Sequence, residues 1–218
     1  MPALNEAAGI DAALLALAPL AARGAQIVVA DGGSLDASAD LARAAGAQVV
    51  QAPRGRALQM NAGAYHAAGD ILLFLHADTR LPPEADRLIR QALASGAQVW
   101  GRFDVQISGK LRLLRVIAAC MNRRSRWTGI ATGDQAMFMT RAAFDAVGGF
   151  AAQPLMEDIE MSVRLRRLSR PACLRVPVVT SGRRWESRGV WRTMLLMWRL
   201  RFAYWCGTAP ERLAALYR

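Results

Sequence analysis

Three short stretches concentrate side chains able to do chemistry. In "GDILLFLHADTRLPP", Gly69 to Pro83, an apolar run from Ile71 to Leu75 leads into His76, Ala77 and Asp78. A strand there puts His76 and Asp78 on one face, at its carboxyl end. A carboxylate so placed suits Mg2+ or Mn2+, which prefer oxygen donors, keep waters and share the phosphate oxygens of a nucleotide. Read alone, His76 leans toward a hydrogen-bonded structural histidine. In "LMEDIEMSVRLRR", Glu157 and Asp158 open a helix. Carboxylates in a first turn offset the helix dipole, and one of a pair can also act as general base toward an acceptor hydroxyl. In "VVADGGSLDAS", Asp31 ends a strand, Gly32 and Gly33 permit positive φ, and Ser34 or Asp36 can cap the next helix. That turn is either a plain strand-to-helix connection or a pocket in which Asp31 accepts hydrogen bonds from a base.

Basic groups accompany these carboxylates. "PRGRALQMNAGAYHAAGD" sets Arg54 and Arg56 around Gly55 at a helix start, a favourable place for phosphate, with Asn61 and Gly63 a turn or two on. "TGIATGDQAMFMT" is a Gly-rich loop carrying Asp134 ahead of a strand. "SGRRWESRG" groups Arg183, Arg184 and Trp185 in a loop, where Arg can pair with a departing diphosphate and Trp can stack on an acceptor or pack.

The elements that must position these groups alternate. Helices are expected at Gly9–Ala22, with Pro19 weakening its end, and at Asp36–Ala45, Arg56–Ala68 and Pro83–Ala94. Strands are expected at Gln26–Ala30, Ala47–Gln51 and Ile71–Leu75. Such alternation implies βαβ units and a mostly parallel sheet, with ligands beyond the carboxyl ends of the strands. The second half breaks the rhythm. Strands are expected at Val99–Ile107, as one arm of a hairpin, and at Gln135–Thr140 and Cys173–Thr180. Helices are expected at Leu111–Arg124, Met156–Leu168 and Val190–Trp205. The chain opens "MPALNEA", so the first strand of the sheet reads as truncated, which leaves a sheet edge open.

Size and composition set bounds. The chain has 218 residues and is 53% hydrophobic, enough for a single domain over 1–218. It divides into a nucleotide-binding half at 1–100, an acceptor-side half at 101–188 and a helical segment at 189–218. No apolar run is long enough to span a bilayer, and Glu6 and Asp11 stand where a signal peptide would be basic, so a cytoplasmic protein is expected. Cys120, Cys173 and Cys206 fit neither a disulfide framework nor a metal spacing and read as buried free thiols. Charge is uneven. Residues 1–100 hold seven Arg against nine acids, and residues 101–218 hold twenty Arg and one Lys against eight acids. On charge alone, a basic second half suits phosphates, an acidic membrane surface or nucleic acid, or is a solvated basic face. "VWRTMLLMWRLRFAYWC" at 190–206 mixes Trp, Leu and Arg as an interfacial helix does, or docks with its Arg side chains reaching to water.

In their order along the chain, "PALNEA", "VVADGGSLDAS", "GRALQMNAGAYHAAGDILLFLHADTRLPP", "GDQAMFMTRAAFDAVGGF" and "LMEDIEMSVRLRR" resemble the family 2 glycosyltransferases of the GT-A fold. The resemblance covers about Pro2 to Arg188, and the HADT and RRWE variants are similar to a small bacterial subgroup. It implies an α/β GT-A domain and an inverting transfer from a UDP- or GDP-linked sugar. Pro2, Ala3, Asn5, Glu6, Asp31, Gly32 and Ser34 would line the nucleoside pocket, with help from Arg56, Asn61, Ala77, Asp134, Arg184 and Trp185. Asp78 would hold Mn2+ or Mg2+, with His76 in the place of the family's first carboxylate. Asp158, or its neighbour Glu157, would be the base. The acceptor stays open. A lipid-linked one would agree with peripheral contact through 190–206 on the inner face of a membrane, and no nucleic acid is expected. Two other classes compete. A nucleotidyltransferase needs a basic phosphate loop after the first strand, which "NEAAGI" lacks, and a non-catalytic anion- or membrane-binding module would use only the basic half.

Overall fold

A computed structural model describes residues 1–217. Two sheets organise it. Strands β1 (Pro2–Ala3), β2 (Val28–Asp31) and β3 (Gln48–Gln51) form an all-parallel sheet in the order β1-β2-β3. Helices α1 (Ile10–Ala22) and α2 (Ser38–Ala44) supply its crossovers, and α1 runs on past Pro19. All of β2 is buried, which is why its sequence is an unbroken apolar run closed by one carboxylate.

The second sheet is mixed. Its strands are β4 (Ile71–Leu73), β5 (Thr79–Arg80), β6 (Trp100–Ser108), β7 (Phe138–Thr140) and β8 (Ala172–Ser181), in the order β4-β7-β6-β8-β5. Only the β6–β8 ladder is parallel. The expected hairpin at Val99–Ile107 is therefore corrected: β6 is a central strand paired with β8 and, over two residues, antiparallel to β7. Gly101 permits this crossing, because a Cβ there would lie 2.4 Å from the Ala172 carbonyl and 2.5 Å from the Phe138 ring.

Around the sheets lie α3 (Arg56–His66), α4 (Ala85–Leu93), α5 (Leu113–Thr128), α6 (Arg141–Ala146), α7 (Glu157–Leu165), α8 (Arg183–Arg188), α9 (Val190–Trp205) and α10 (Pro210–Tyr217). The Arg183–Trp185 segment is helix α8 rather than the expected loop. Ile10, Leu14 and Leu17 of α1 pack with Val29, Phe103 and Val105 in the main core. Phe74, Phe144 and Phe150 anchor a second, with Phe74 edge-on to Phe150 at 4.8 Å. Leu155 and Met156 meet Leu200 and Leu213 in a small third cluster that ties α9 and α10 to the chain entering α7. Cys120 and Cys206 are exposed and Cys173 half-buried, which corrects the expectation of buried thiols. Among the described residues, no helix is long and apolar enough to cross a membrane.

Candidate active site

The polar end of the 69–83 stretch is built differently from a simple strand. Ladder pairing stops at Leu73, although Phe74 N–H still donates to the Met137 carbonyl. A turn follows, closed by Thr79 N–H to the His76 carbonyl at 3.1 Å. Thr79 and Arg80 then pair with Thr180 and Val179 of β8, and Thr79 Oγ1 lies 3.0 Å from Thr180 Oγ1. Asp78 is thus fixed by β5 and β8, not by β4, and strand alternation does not set the relation between His76 and Asp78. The Asp78 carboxylate is exposed, with one long contact, 3.3 Å, from Thr79 Oγ1. The His76 ring lies against Gly133, where a Cβ would be 2.4 Å from Cε1, and its Nδ1 faces Asp134 Oδ1 at 3.6 Å.

The Gly-rich loop and α7 meet over this histidine. Gly133 N–H donates to Asp158 Oδ2 at 2.8 Å, and Ile159 N–H donates to Oδ1 at 2.7 Å. Met156, the residue before α7, takes φ 66°, a left-handed conformation uncommon for a side chain of its size, and this turns Glu157 and Asp158 inward. Burial raises the Asp158 pKa, against the two backbone hydrogen bonds that favour its charge. Burial and then the Asp158 charge raise Glu157, with Arg56 opposing. Asp134 goes the other way: its burial is outweighed by His76, Arg56 and Arg184, and its pKa is lowered.

At the end of β2, Asp31 is buried, and its carboxylate accepts from Gly33 N–H, Ser34 N–H and Ser34 Oγ–H. Burial pushes its pKa up, but hydrogen bonds from Ser34, Gln51 and Gly33 more than offset this and lower it. Asn5, at φ 55°, accepts from Leu35 N–H and donates its own N–H to Ser34 Oγ. Glu6 is raised by burial and by nearby Asp78.

A cavity of about 1040 Å3 joins these walls. Of the residues expected at a site, Pro2, Ala3, Glu6, Arg56, His76, Ala77, Asp78, Asp134, Glu157, Asp158, Arg184 and Trp185 line it. Asn5, Asp31, Gly32 and Ser34 are not part of its lining. Asn61 does not join them. It clamps Phe150, donating Nδ2–H to the carbonyl and accepting the N–H at Oδ1, both at 2.8 Å. Arg184 lies over the Tyr217 ring at 4.0 Å and hydrogen-bonds its hydroxyl, and Trp185 packs against the main core.

Sequence reasoning missed Gln59. It is buried, lines the cavity, and donates Nε2–H to the carbonyls of Ala3 and Ala30 at 2.7 and 3.0 Å, which fixes the end of β1 against β2. The only signal was its place one turn after Arg56 on α3. The Gly-rich loop around Gly133 is visible in the sequence, but the hold of its amide on Asp158 is not.

An α/β frame with its cavity beyond the strand ends, lined by paired carboxylates and arginines, fits an enzyme of the GT-A type. The glycosyl transferase family 2 model matches residues 1–154, and the chain belongs to that family: it is a glycosyltransferase. The chain is also similar to crystal structures of glucosyl-3-phosphoglycerate synthase from Mycobacterium tuberculosis. The complex with phosphoglyceric acid gives a TM-score of 0.61 at 21% identity, over 82% of this chain and 68% of that one. The complex with Mn2+ and UDP-glucose gives 0.61 at 21%, over 82% and 67%. The complex with Mn2+, UDP and glucosyl-3-phosphoglycerate gives 0.61 at 20%, over 82% and 68%. At that identity the likeness is one of fold. No curated protein matches.

Proposed function

We propose that this chain moves a hexosyl group from a UDP- or GDP-linked donor to an acceptor hydroxyl, with inversion and with Asp158 as base. The observation that carries this reading is Asp158 itself: a carboxylate held by the Gly133 amide, its pKa raised by burial, in one cavity with Asp78, Arg56 and Arg184. A raised pKa suits a group that must take up a proton near neutral pH. Pro2, Ala3 and Glu6 receive the nucleoside, backed by the Asp31 turn. The acceptor oxygen attacks the anomeric carbon as the bond to the diphosphate breaks, and its proton passes to Asp158. Arg56 and Arg184 face the charge that appears on the leaving diphosphate.

A divalent cation fits one of the two expected ligands. Mg2+ and Mn2+ are held by one or two carboxylates plus substrate phosphates. Asp78, exposed to the cavity and nearly uncommitted, suits that part, whereas His76 is engaged by Asp134 and Gly133. In this reading the diphosphate oxygens and water complete the set around Asp78. The bound cation would neutralise the diphosphate. Calorimetric titration of UDP- and GDP-sugars, with and without Mn2+, tests the reading. Binding enhanced by Mn2+ and lost to that enhancement in Asp78→Ala is expected, and no binding of either nucleotide class overturns it.

One further surface bears on where the enzyme works. Trp191, Leu195, Trp198, Phe202 and Trp205, spaced along a single face of α9, are 60–82% exposed, with Arg192 and Arg199 beside them. An aromatic stripe next to arginine, on a chain of net charge +11, suits peripheral contact with an anionic bilayer. Salt-sensitive flotation with anionic vesicles and none with neutral ones is expected. A dimer that forms through this face and ignores vesicles overturns it.

A further inference from the structure

The cavity has a second character away from its carboxylates. Between α5 and α9 its wall is formed by Ile117, Cys120, Met121, Met194, Met197 and Trp198, and two arginines, Arg124 and Arg201, enter there. Arg124 Nε and Nη2 are buried and have no hydrogen-bond partner among the described residues. Arg102 and Arg164 also leave a buried nitrogen unpaired, but Arg102 is ion-paired with Asp104 and Arg164 with Glu160. Arg124 has no such carboxylate among the described residues. Arg201 lines the same wall, has no carboxylate partner among the described residues, and its pKa is lowered by burial. The arginines that set the field at Glu6, Asp134, Glu157 and Asp158 are Arg56, Arg183 and Arg184.

A desolvated guanidinium without a counter-charge is costly, and the cost is recovered when an oxyanion arrives. The base sits on the same cavity, so whatever reaches Asp158 from this side passes the two arginines. We propose that Arg124 and Arg201 form the acceptor subsite, and that the acceptor carries an anionic oxygen group, phosphate or carboxylate, next to an apolar portion. This deepens the transferase reading and rests on it for the word acceptor. The binding chemistry stands on the two arginines and the apolar wall alone.

The test uses short amphiphiles below their micelle concentrations: octyl phosphate, octanoate and neutral octyl glucoside, followed by tryptophan fluorescence, since Trp191 and Trp198 line the cavity. Saturable binding of an anionic probe at least about tenfold tighter than the neutral one is expected, and the two anionic arms separate phosphate from carboxylate. Arg124→Met and Arg201→Met should each weaken the anionic probe about tenfold or more and leave UDP affinity within about twofold. Arg124→Lys, which keeps the charge, should restore part of the loss. Without ligand, Arg124→Met should also melt at a higher temperature, because a partnerless buried charge is removed, whereas a merely structural arginine would lower it. Equal binding of the neutral probe, or unchanged anion binding in both Met variants, overturns the proposal. UDP-sugar binding with no anion preference sinks this subsite alone, and anion binding without UDP- or GDP-sugar binding sinks the donor reading alone.

Discussion

At the level of single residues, Asp158 and Glu157 are neighbours with different surroundings. Asp158 is tethered by two backbone amides, and Glu157 is buried facing Arg56. Asp158→Asn keeps the shape and removes the proton acceptor. Transfer should fall by about 10²–10⁴-fold while donor binding and the melting temperature hold, read by steady-state kinetics beside calorimetry. Glu157→Gln tests the cost of burial. A carboxyl whose folded pKa is raised binds more protons in the native state, so its contribution to stability falls as pH climbs from the ordinary carboxylate range through the folded value. The Gln variant should therefore outmelt the parent at pH 7 and match it near pH 4, each kcal/mol of relief reading as about 2–4 °C. Equal melting at pH 7 would remove this account. Gly133 is a third point of leverage, since a methyl group there runs into the His76 ring. Gly133→Ala should displace the amide that holds Asp158 and lower kcat more than it raises the donor KM.

At the level of elements, what could be read from sequence followed from burial. β2 and α1 were legible because an unbroken apolar run and a helical apolar period leave little choice. β4 was over-read, since the apolar residues 74 and 75 enter the core without continuing the ladder, and periodicity does not distinguish the two. β5 was invisible: two residues become a strand only because β8, a hundred positions away, lies beside them. The resemblance implies a nucleotide role for Asn61, and nothing local in the sequence shows that its partner Phe150 is 89 residues on. Asn61→Ala should cost about 1–3 kcal/mol of stability through the two unpaired Phe150 groups, with donor KM unchanged, and denaturant unfolding beside kinetics separates these. Gln59→Leu, which frees the Ala3 and Ala30 carbonyls, should lose a similar amount and also weaken the donor, because β1 carries Pro2 and Ala3 into the cavity.

At the level of the whole molecule, the charge asymmetry seen in the sequence has a spatial counterpart. The carboxylates gather where β1, the 76–79 turn and α7 meet, while Arg124, with buried nitrogens unpaired among the described residues, stands on α5 and Arg201 on α9. The small cluster of Leu155, Met156, Leu200 and Leu213 adds a consequence of its own. Cooperative units with few buried apolar contacts open first, well below the free energy of global unfolding. Helices α9 and α10, which meet Leu155 and Met156 in that cluster, are expected to open as such a unit, and Met156 is also the left-handed residue that leads into Glu157. Backbone amides of α9 and α10 should exchange with deuterium faster than those of β2 and β6, and slow down when a ligand bridges Arg124 and Arg201. The unit that closes one wall of the cavity would then also be the unit whose breathing lets the cavity fill.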